Sequence, residues 1–154
     1  MRTIILTIFL YFTALGCDPI VSKLDYKNNT NDIIYVRTFF FSEDFSINTH
    51  SYLIKINAKE IESTGSIYDF ETIFKRHNND SLLNVVIFEN YPFLMEEYGT
   101  FKTHKSDSLL IVGNYMIRSY TYKELEKKDW LITYPDDGFK QGKPLMVNNG
   151  NVDL

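Results

Sequence analysis

The chain contains few residues whose types and spacing could support catalysis. Its three histidines, His50, His77 and His104, lie far apart and form neither an H-x-x-x-H nor an H-E-x-x-H pattern. Neither a G-x-S-x-G nucleophile elbow nor a phosphate-binding loop occurs. The sequence therefore predicts no catalytic residue, no cofactor and no metal, although a zinc site assembled from distant segments stays open.

Two pairs of adjacent carboxylates, Glu96–Glu97 and Asp136–Asp137, are candidates for acid–base chemistry on a glycan. Two acids that face each other across a cleft are sufficient for glycoside hydrolysis. Adjacent residues usually point to different faces, however, and both pairs lie in polar segments that we expect to be solvated. We therefore expect neither pair to be catalytic.

The single cysteine, Cys17, follows a run without charge from Thr3 to Leu15. The run is shorter than the stretch of about 20 apolar residues that spans a bilayer. Because Arg2 precedes it and the small residues Ala14 and Gly16 end it, the segment has the pattern of a secretory signal peptide.

Two processing routes fit this segment. Ala14-Leu15-Gly16 is a site that ordinary signal peptidase could cleave, whereas the small residue before Cys17 resembles a bacterial lipobox, with Ala14 at the position where Leu is usual. A lone cysteine cannot form an internal disulfide, and a thioether bond to a lipid would explain both why there is a single cysteine and why it stands at this position. We expect residues 1–16 to be a lipoprotein signal peptide, Cys17 to be lipidated and residues 17–22 to be the tether. A free thiol and an uncleaved anchor helix are the alternatives.

The charge of the chain excludes one class of partner. Removing residues 1–16 takes away Arg2 and no acid, so the net charge changes from −4 to about −5. Nucleic-acid binding requires a basic patch that neutralises phosphates, and a polybasic membrane-binding face requires clustered lysines or arginines. We therefore expect no nucleic-acid partner.

Four aromatic residues close together form the best candidate for a ligand-binding surface. Tyr91, Phe93, Tyr98 and Phe101 lie in a loop-like segment beside Pro92. Exposed aromatic residues on loops often anchor protein partners or stack on sugars. The commoner outcome, which we favour, is that such a loop folds back and buries its aromatic rings as a lid on the domain.

The pattern of apolar residues predicts a mainly β domain that carries these side chains. Alternation and β-prone composition predict strands at 23–27, 33–41, 52–56, 59–62, 81–90 and 130–134, with a strand pair or one bent strand over 108–122. The 33–41 strand is apolar on both faces and is expected to be covered on both sides. Helical spacing predicts a short helix over 68–76.

The segment "RSYTYKELEKKDWLITYP" has the clearest local signals. Thr121 and Glu124 form a T-x-x-E capping box, and Tyr120 and Leu125 are placed for a hydrophobic staple, so a second helix is predicted over 122–128. Residues 136–154 are rich in Gly, Asn, Asp and Lys and are predicted to be a mobile tail. The expected fold is a single-domain antiparallel β-sandwich over residues 23–135, immunoglobulin-like or transthyretin-like, with two short helices.

The layout resembles a group of small uncharacterised envelope lipoproteins of anaerobic gut bacteria. The resemblance rests on Cys17, "NNTNDIIYV", "YDFETIF…LLNVVIFEN" and above all "IRSYTYKELEKKDWLITYP", and it spans most of residues 17–135. It implies an envelope-anchored β-rich domain and transfers no catalytic residue.

These observations predict a lipid-anchored protein of the cell envelope, with the outer membrane favoured. It is expected to be a non-enzymatic binding or structural module that contacts the membrane through its lipid and an envelope protein or glycan through its domain. The alternative is a small envelope hydrolase that acts on glycan or peptide.

Overall fold

The computed structural model describes residues 24–40, 53–64, 70–76, 82–98, 104–144, 146–148 and 151–153. Eight strands form two sheets, and two further strands, β9 (Met146–Asn148) and β10 (Asn151–Asp153), pair with each other. Three α-helices and one 3-10 helix lie in these residues. The predicted mainly β sandwich is confirmed; its immunoglobulin-like or transthyretin-like arrangement stays a prediction.

The larger sheet has five antiparallel strands in the order β3-β2-β5-β6-β8. Its strands are β2 (Ile34–Phe40), β3 (Ile54–Ile56), β5 (Leu83–Glu89), β6 (Met116–Tyr120) and β8 (Lys140–Gln141). The first six residues of β5 are all buried, and Ile34 to Arg37 of β2 are buried as well. The larger sheet is therefore covered on both faces, as the two apolar faces of the 33–41 segment predict.

The smaller sheet has the order β4-β1-β7, with β1 (Asp25–Asn28), β4 (Ile61–Ser63) and β7 (Leu131–Tyr134). The pair β1 and β7 is parallel, so the expectation of an entirely antiparallel sandwich is wrong at this pair. Strands far apart in sequence can pair in either direction, since no short turn dictates their orientation.

Asn28 forms the corner at which the chain leaves the smaller sheet and enters the larger one. Its side chain is fully buried, and its Nδ2 donates to the carbonyls of Asp32 at 2.7 Å and Asn57 at 3.1 Å. Its Oδ1 accepts from the Thr30 backbone N–H at 2.9 Å. The strands on the two sides of this asparagine-rich turn belong to different sheets.

Two hydrophobic cores lie on the two faces of the larger sheet. The first fills the space between the sheets, where Tyr26 and Ile132 of the smaller sheet face Val36 and Val85 of the larger one. Helices α1 (Phe70–Arg76) and α3 (Tyr122–Lys127) supply Phe74 and Leu125 to this core. The second core lies between the larger sheet and two helical elements: a 3-10 helix, η1 (Pro92–Glu96), and helix α2 (His104–Val112). We call η1 with α2 the helix layer.

Helix α2 corrects the prediction of a strand over the first part of 108–122. Leu109 and Leu110 are buried against the larger sheet, and the helix ends at Gly113, whose φ is +76°. The Gly113 N–H donates to the Leu110 carbonyl at 3.1 Å, and the Asn114 N–H donates to the Leu109 carbonyl at 2.9 Å. This pair of bonds is a Schellman motif, so the Gly-Asn pair ends a helix here instead of bending a strand.

Helix α3 begins as predicted. Thr121 Oγ1 accepts from the Glu124 N–H at 3.2 Å, and Glu124 Oε2 accepts from the Thr121 N–H at 2.8 Å, so the capping box is formed. The Trp130 N–H donates to the Leu125 carbonyl at 2.8 Å, and Trp130 has a φ of +59°. Helix α1 was predicted over 68–76; its residues from Phe70 lie within the described chain, and residues 65–69 lie outside it.

The first part of the predicted mobile tail is packed into the fold. Strand β8 pairs with β6, and the rings of Tyr120 and Tyr134 lie 6.4 Å and 5.1 Å from that of Phe139. The Tyr115 hydroxyl donates to the Lys143 carbonyl at 2.7 Å. The domain therefore extends beyond residue 135 to residue 144, because a few aromatic contacts and strand pairs outweigh the polar composition of this segment.

Candidate functional site

The structure places three of the four candidate aromatic residues on or beside η1. Phe93 and Tyr98 are 43% and 48% exposed. Tyr91 is half-buried against the second core, and its ring supports that of Phe93 at 5.4 Å in an edge-to-face contact. Phe101 and Cys17 lie outside the described residues. Of the described aromatic residues, Tyr91 is partly covered as the lid interpretation expects, whereas Phe93 and Tyr98 remain accessible.

Further exposed apolar side chains lie on the same helix layer. Eight large hydrophobic residues in the described chain are exposed, and five of them lie on η1, on α2 or next to η1. We call these five the apolar patch: Phe93, Met95, Tyr98, Ile111 and Val112. The elements η1 and α2 contact each other, so the members of the patch belong to one layer.

Glu97 holds the first turn of α2 in place. Its side chain is buried, and its carboxylate oxygens accept from the Lys105 N–H at 2.6 Å and the Ser106 N–H at 3.1 Å. A carboxylate at a helix N-terminus satisfies free backbone donors and interacts favourably with the helix dipole. Glu97 therefore joins the end of η1, which carries part of the apolar patch, to α2, which carries the rest.

Arg37 fixes the same turn of α2 to the larger sheet. Its side chain has no exposed surface, its Nη1 donates to Asp107 Oδ1 at 2.6 Å and to Ser106 Oγ at 2.9 Å, and its guanidinium lies 4.8 Å from the centre of the Phe39 ring. Burial lowers the pKa of Arg37, and the Asp107 hydrogen bond and the charges of Asp107 and Glu97 act in the opposite direction. The apolar patch is therefore displayed on a layer held by buried charges.

Sequence reasoning missed this cluster, although one signal was present. Arg37 shares a face of the 33–41 strand with Tyr35 and Phe39, and a cation on an apolar face of a central strand requires a buried partner. The partner, Asp107, is 70 residues away, so its identity depended on the tertiary structure.

A second buried carboxylate, Asp137, joins the segment after β7 to its surroundings. It accepts from the Tyr120 hydroxyl at 3.0 Å, the Lys128 ammonium at 2.8 Å and the Thr133 N–H at 3.0 Å. Burial by itself raises the pKa of Asp137, but these three donors together hold its pKa below the ordinary value. Burial raises the pKa of Tyr120, and the charge of Asp137 raises it further.

Both carboxylate pairs divide into one buried and one exposed member. Glu96 is exposed and pairs with Lys105, while Glu97 is buried. Asp136 is exposed, while the Asp137 side chain is only 8% exposed. The prediction that adjacent members point to different faces is confirmed, but the expectation of two solvated pairs is wrong for Glu97 and Asp137.

The remaining chemical candidates contribute little to a site. His104 is exposed at the start of α2, and His50 and His77 lie outside the described residues. No group of three or more His, Cys, Asp or Glu suited to a metal ion occurs in the described part of the chain. Over the same residues, no helix is both long and apolar enough to cross a bilayer.

In comparisons with known proteins, no family model, no curated protein and no solved structure matches the chain.

Proposed function

We propose that the protein is a lipid-anchored component of the cell envelope whose β-sandwich domain binds another envelope component without catalysis. The observation that carries the binding role is the apolar patch, in which exposed aromatic side chains sit on a layer fixed by buried charges. A preorganised layer loses little conformational entropy when a partner binds, which favours affinity. The sequence around Cys17 supports the anchor.

The positions of three acids support a non-catalytic role. Glu97 accepts two backbone N–H groups of α2, Asp107 pairs with Arg37, and Asp137 accepts three hydrogen bonds. A general acid or base must reach the reacting atom within hydrogen-bond distance. These three carboxylates instead hold parts of the protein together, and no arrangement among the described residues favours the alternative of an envelope hydrolase.

The anchor is tested by moving the thiol. Cys17→Ser should release the chain from the membrane fraction and abolish labelling by a fatty-acid analogue. The control is the double change Cys17→Ser with Ser22→Cys, which keeps one thiol but places it away from the cleavage signal and should also remain unlabelled. Labelling that persists in Cys17→Ser would refute the anchor.

Binding is tested with matched surface changes in the lipidated chain. Phe93→Ser with Tyr98→Ser should reduce recovery of the chain in chemically cross-linked complexes of intact envelopes by about tenfold, as expected when central aromatic contacts are lost. Ile61→Ser is the control, since Ile61 is 56% exposed but lies on β4 in the smaller sheet. Equal recovery of all three chains would contradict a binding role for the apolar patch.

A further inference from the structure

Strand β7 lies at one edge of the smaller sheet, where the described strands follow the order β4-β1-β7. The Trp130 carbonyl accepts from the Asp25 N–H of β1 at 3.0 Å. Because the residues of a strand bond alternately to its two sides, the N–H and carbonyl groups of Leu131 and Thr133 point away from β1. A strand with such outward groups is a template on which a strand of another chain can pair.

The segment after β7 satisfies most of these outward groups. The Asp137 N–H donates to the Thr133 carbonyl at 3.0 Å, and Asp137 Oδ2 accepts from the Thr133 N–H at 3.0 Å. The Leu131 N–H donates to the Lys128 carbonyl at 3.1 Å, while the Leu131 carbonyl accepts no bond from the described residues. Asp137 therefore offers Thr133 one donor and one acceptor, as a neighbouring strand would.

The position of Asp137 is fixed from several sides. A turn brings it back beside β7, in which the Gly138 N–H donates to the Pro135 carbonyl at 3.2 Å and Gly138 has a φ of +81°. Asp137 Oδ1 accepts from the Lys128 ammonium at 2.8 Å, and Oδ2 accepts from the Tyr120 hydroxyl at 3.0 Å. The Asp137 side chain is buried. The carboxylate is therefore a fixed part of this edge and not a mobile surface charge.

The opposite edge of the same sheet, strand β4, has no comparable cover from the described part of the chain. The Thr64 N–H donates to the Leu24 carbonyl at 2.9 Å, so the even-numbered residues here bond to the β1 side. The N–H and carbonyl groups of Ile61 and Ser63 therefore point outward, and every residue of β4 is exposed. The smaller sheet thus has one open edge and one edge that its own chain closes.

Two open edges on one sheet would permit head-to-tail growth. If β7 were uncovered, β4 of one molecule would be able to pair with β7 of the next, and a contact between two different surfaces can be repeated without limit. While β7 is covered, β4 can pair only with β4 of another molecule. An antiparallel pair centred on Glu62 places both Glu62 side chains opposite each other, which is destabilising. The covered edge therefore acts against a second copy of the chain.

We propose that Asp137 is an edge guard: its carboxylate and its N–H occupy both hydrogen-bonding groups of Thr133 and prevent the smaller sheet of one molecule from continuing into that of a second copy. The inference goes beyond the proposed binding role and depends on neither the lipid anchor nor the apolar patch. It gives Asp137 a role in keeping molecules apart, in addition to its contribution to stability.

The guard is tested with Asp137→Ala in the full chain, purified in detergent and followed by sedimentation velocity over a range of concentrations. The association constant should rise about tenfold over that of the native chain, as expected when strand pairing gains roughly two net hydrogen bonds. Tyr120→Phe is the matched control, because it removes another partner of the same carboxylate but keeps both Thr133 bonds, and it should sediment like the native chain. An Asp137→Ala chain that has native circular dichroism and native sedimentation would overturn the inference.

The contact surface on the next molecule is tested by adding Ile61→Pro to Asp137→Ala. The Ile61 N–H points away from β1, so proline removes no hydrogen bond of the sheet while it blocks the open side of β4. The double variant should sediment like the native chain. Association that Ile61→Pro leaves unchanged would show that the molecules are not joined through β4, and the head-to-tail pairing would be wrong.

Amide hydrogen exchange tests the guard in the native chain, without any substitution. The protection factor of the Thr133 N–H should exceed that of the Ser63 N–H at least about tenfold, since the first donates to a buried carboxylate and the second points into solvent. Equal protection of the two groups would show that Asp137 does not cover the edge. This measurement also decides the matter if Asp137→Ala does not fold.

Discussion

Arg37 and Asp107 form an ion pair that joins the middle of the larger sheet to the first turn of α2, with 2.6 Å between Nη1 and Oδ1. The Arg37 side chain has no exposed surface and that of Asp107 is 17% exposed. Removing one partner of a buried pair costs much more than removing both, because the remaining charge stays in a medium of low dielectric constant.

Asp107→Leu should therefore lower the free energy of unfolding by roughly 3–5 kcal/mol. The double variant Arg37→Met with Asp107→Leu should recover a large part of that loss in urea melts. Lys105→Ala breaks an exposed pair with Glu96 and is the control, with an expected cost below about 1 kcal/mol. If the double variant is as unstable as Asp107→Leu, the buried charge of Arg37 is not the main cause of the loss of stability.

Glu97 and its neighbour Glu96 form a matched pair for testing the cap of α2. Glu97→Ala should cost about 2 kcal/mol, since it removes the acceptor for two N–H groups of the helix. Glu96→Ala should stay within about 0.5 kcal/mol, because the side chain is 74% exposed. Thermal melts of the two variants measure the difference, and equal midpoints would show that the cap contributes nothing.

The pKa of Asp137 predicts a specific dependence of stability on pH. Its folded-state pKa is held below the unfolded value of about 3.9. The stabilisation is therefore fully present above the unfolded pKa and is lost as the pH falls through the folded pKa. In urea melts, the native chain should have a higher free energy of unfolding than Asp137→Asn. This difference should be constant from about pH 5 to 7 and shrink below about pH 4. A difference in unfolding free energy that does not change with pH would contradict the assignment.

Alanine substitutions at Gly113 and Gly138 distinguish the cost of backbone strain from the cost of a steric clash. Both have positive φ, but an added Cβ at Gly113 would lie 2.9 Å from the Pro144 backbone nitrogen, whereas at Gly138 it would meet only the Arg118 guanidinium, at 3.3 Å. Gly138→Ala should cost about 1 kcal/mol for the left-handed conformation alone. Gly113→Ala should cost clearly more in the same chemical denaturation measurement. The reverse order would contradict the packing of residue 144 against the end of α2.

The segment after residue 138 provides a truncation test. Deleting residues 139–154 removes Phe139 and strand β8 and should lower the melting temperature by several degrees, because a core-contacting aromatic ring is lost. Ending the chain after Pro144 keeps these contacts and should have a smaller effect. Equal melting temperatures for the full chain and the 139–154 deletion would restore the prediction of a mobile tail.

Local signals in the sequence determined the elements that depend on neighbouring residues. The capping box of Thr121 and Glu124 defined the start of α3, because a cap is satisfied within one helical turn. The two apolar faces of the 33–41 segment identified a strand covered on both sides. The lone Cys17 and the apolar run before it predicted a lipid anchor, and that prediction rests on the sequence alone.

Tertiary structure decided the features that depend on contacts between distant residues. Leu109 to Val112 have strand-like composition, yet burial of the leucines against the sheet and the Glu97 cap make this segment a helix. The parallel pairing of β1 with β7 and the Arg37–Asp107 ion pair join segments far apart in the chain, and no local pattern specifies such partners. Whether Phe93 and Tyr98 are buried or exposed also depended on packing, because the same aromatic residues are suited to a core and to a binding surface.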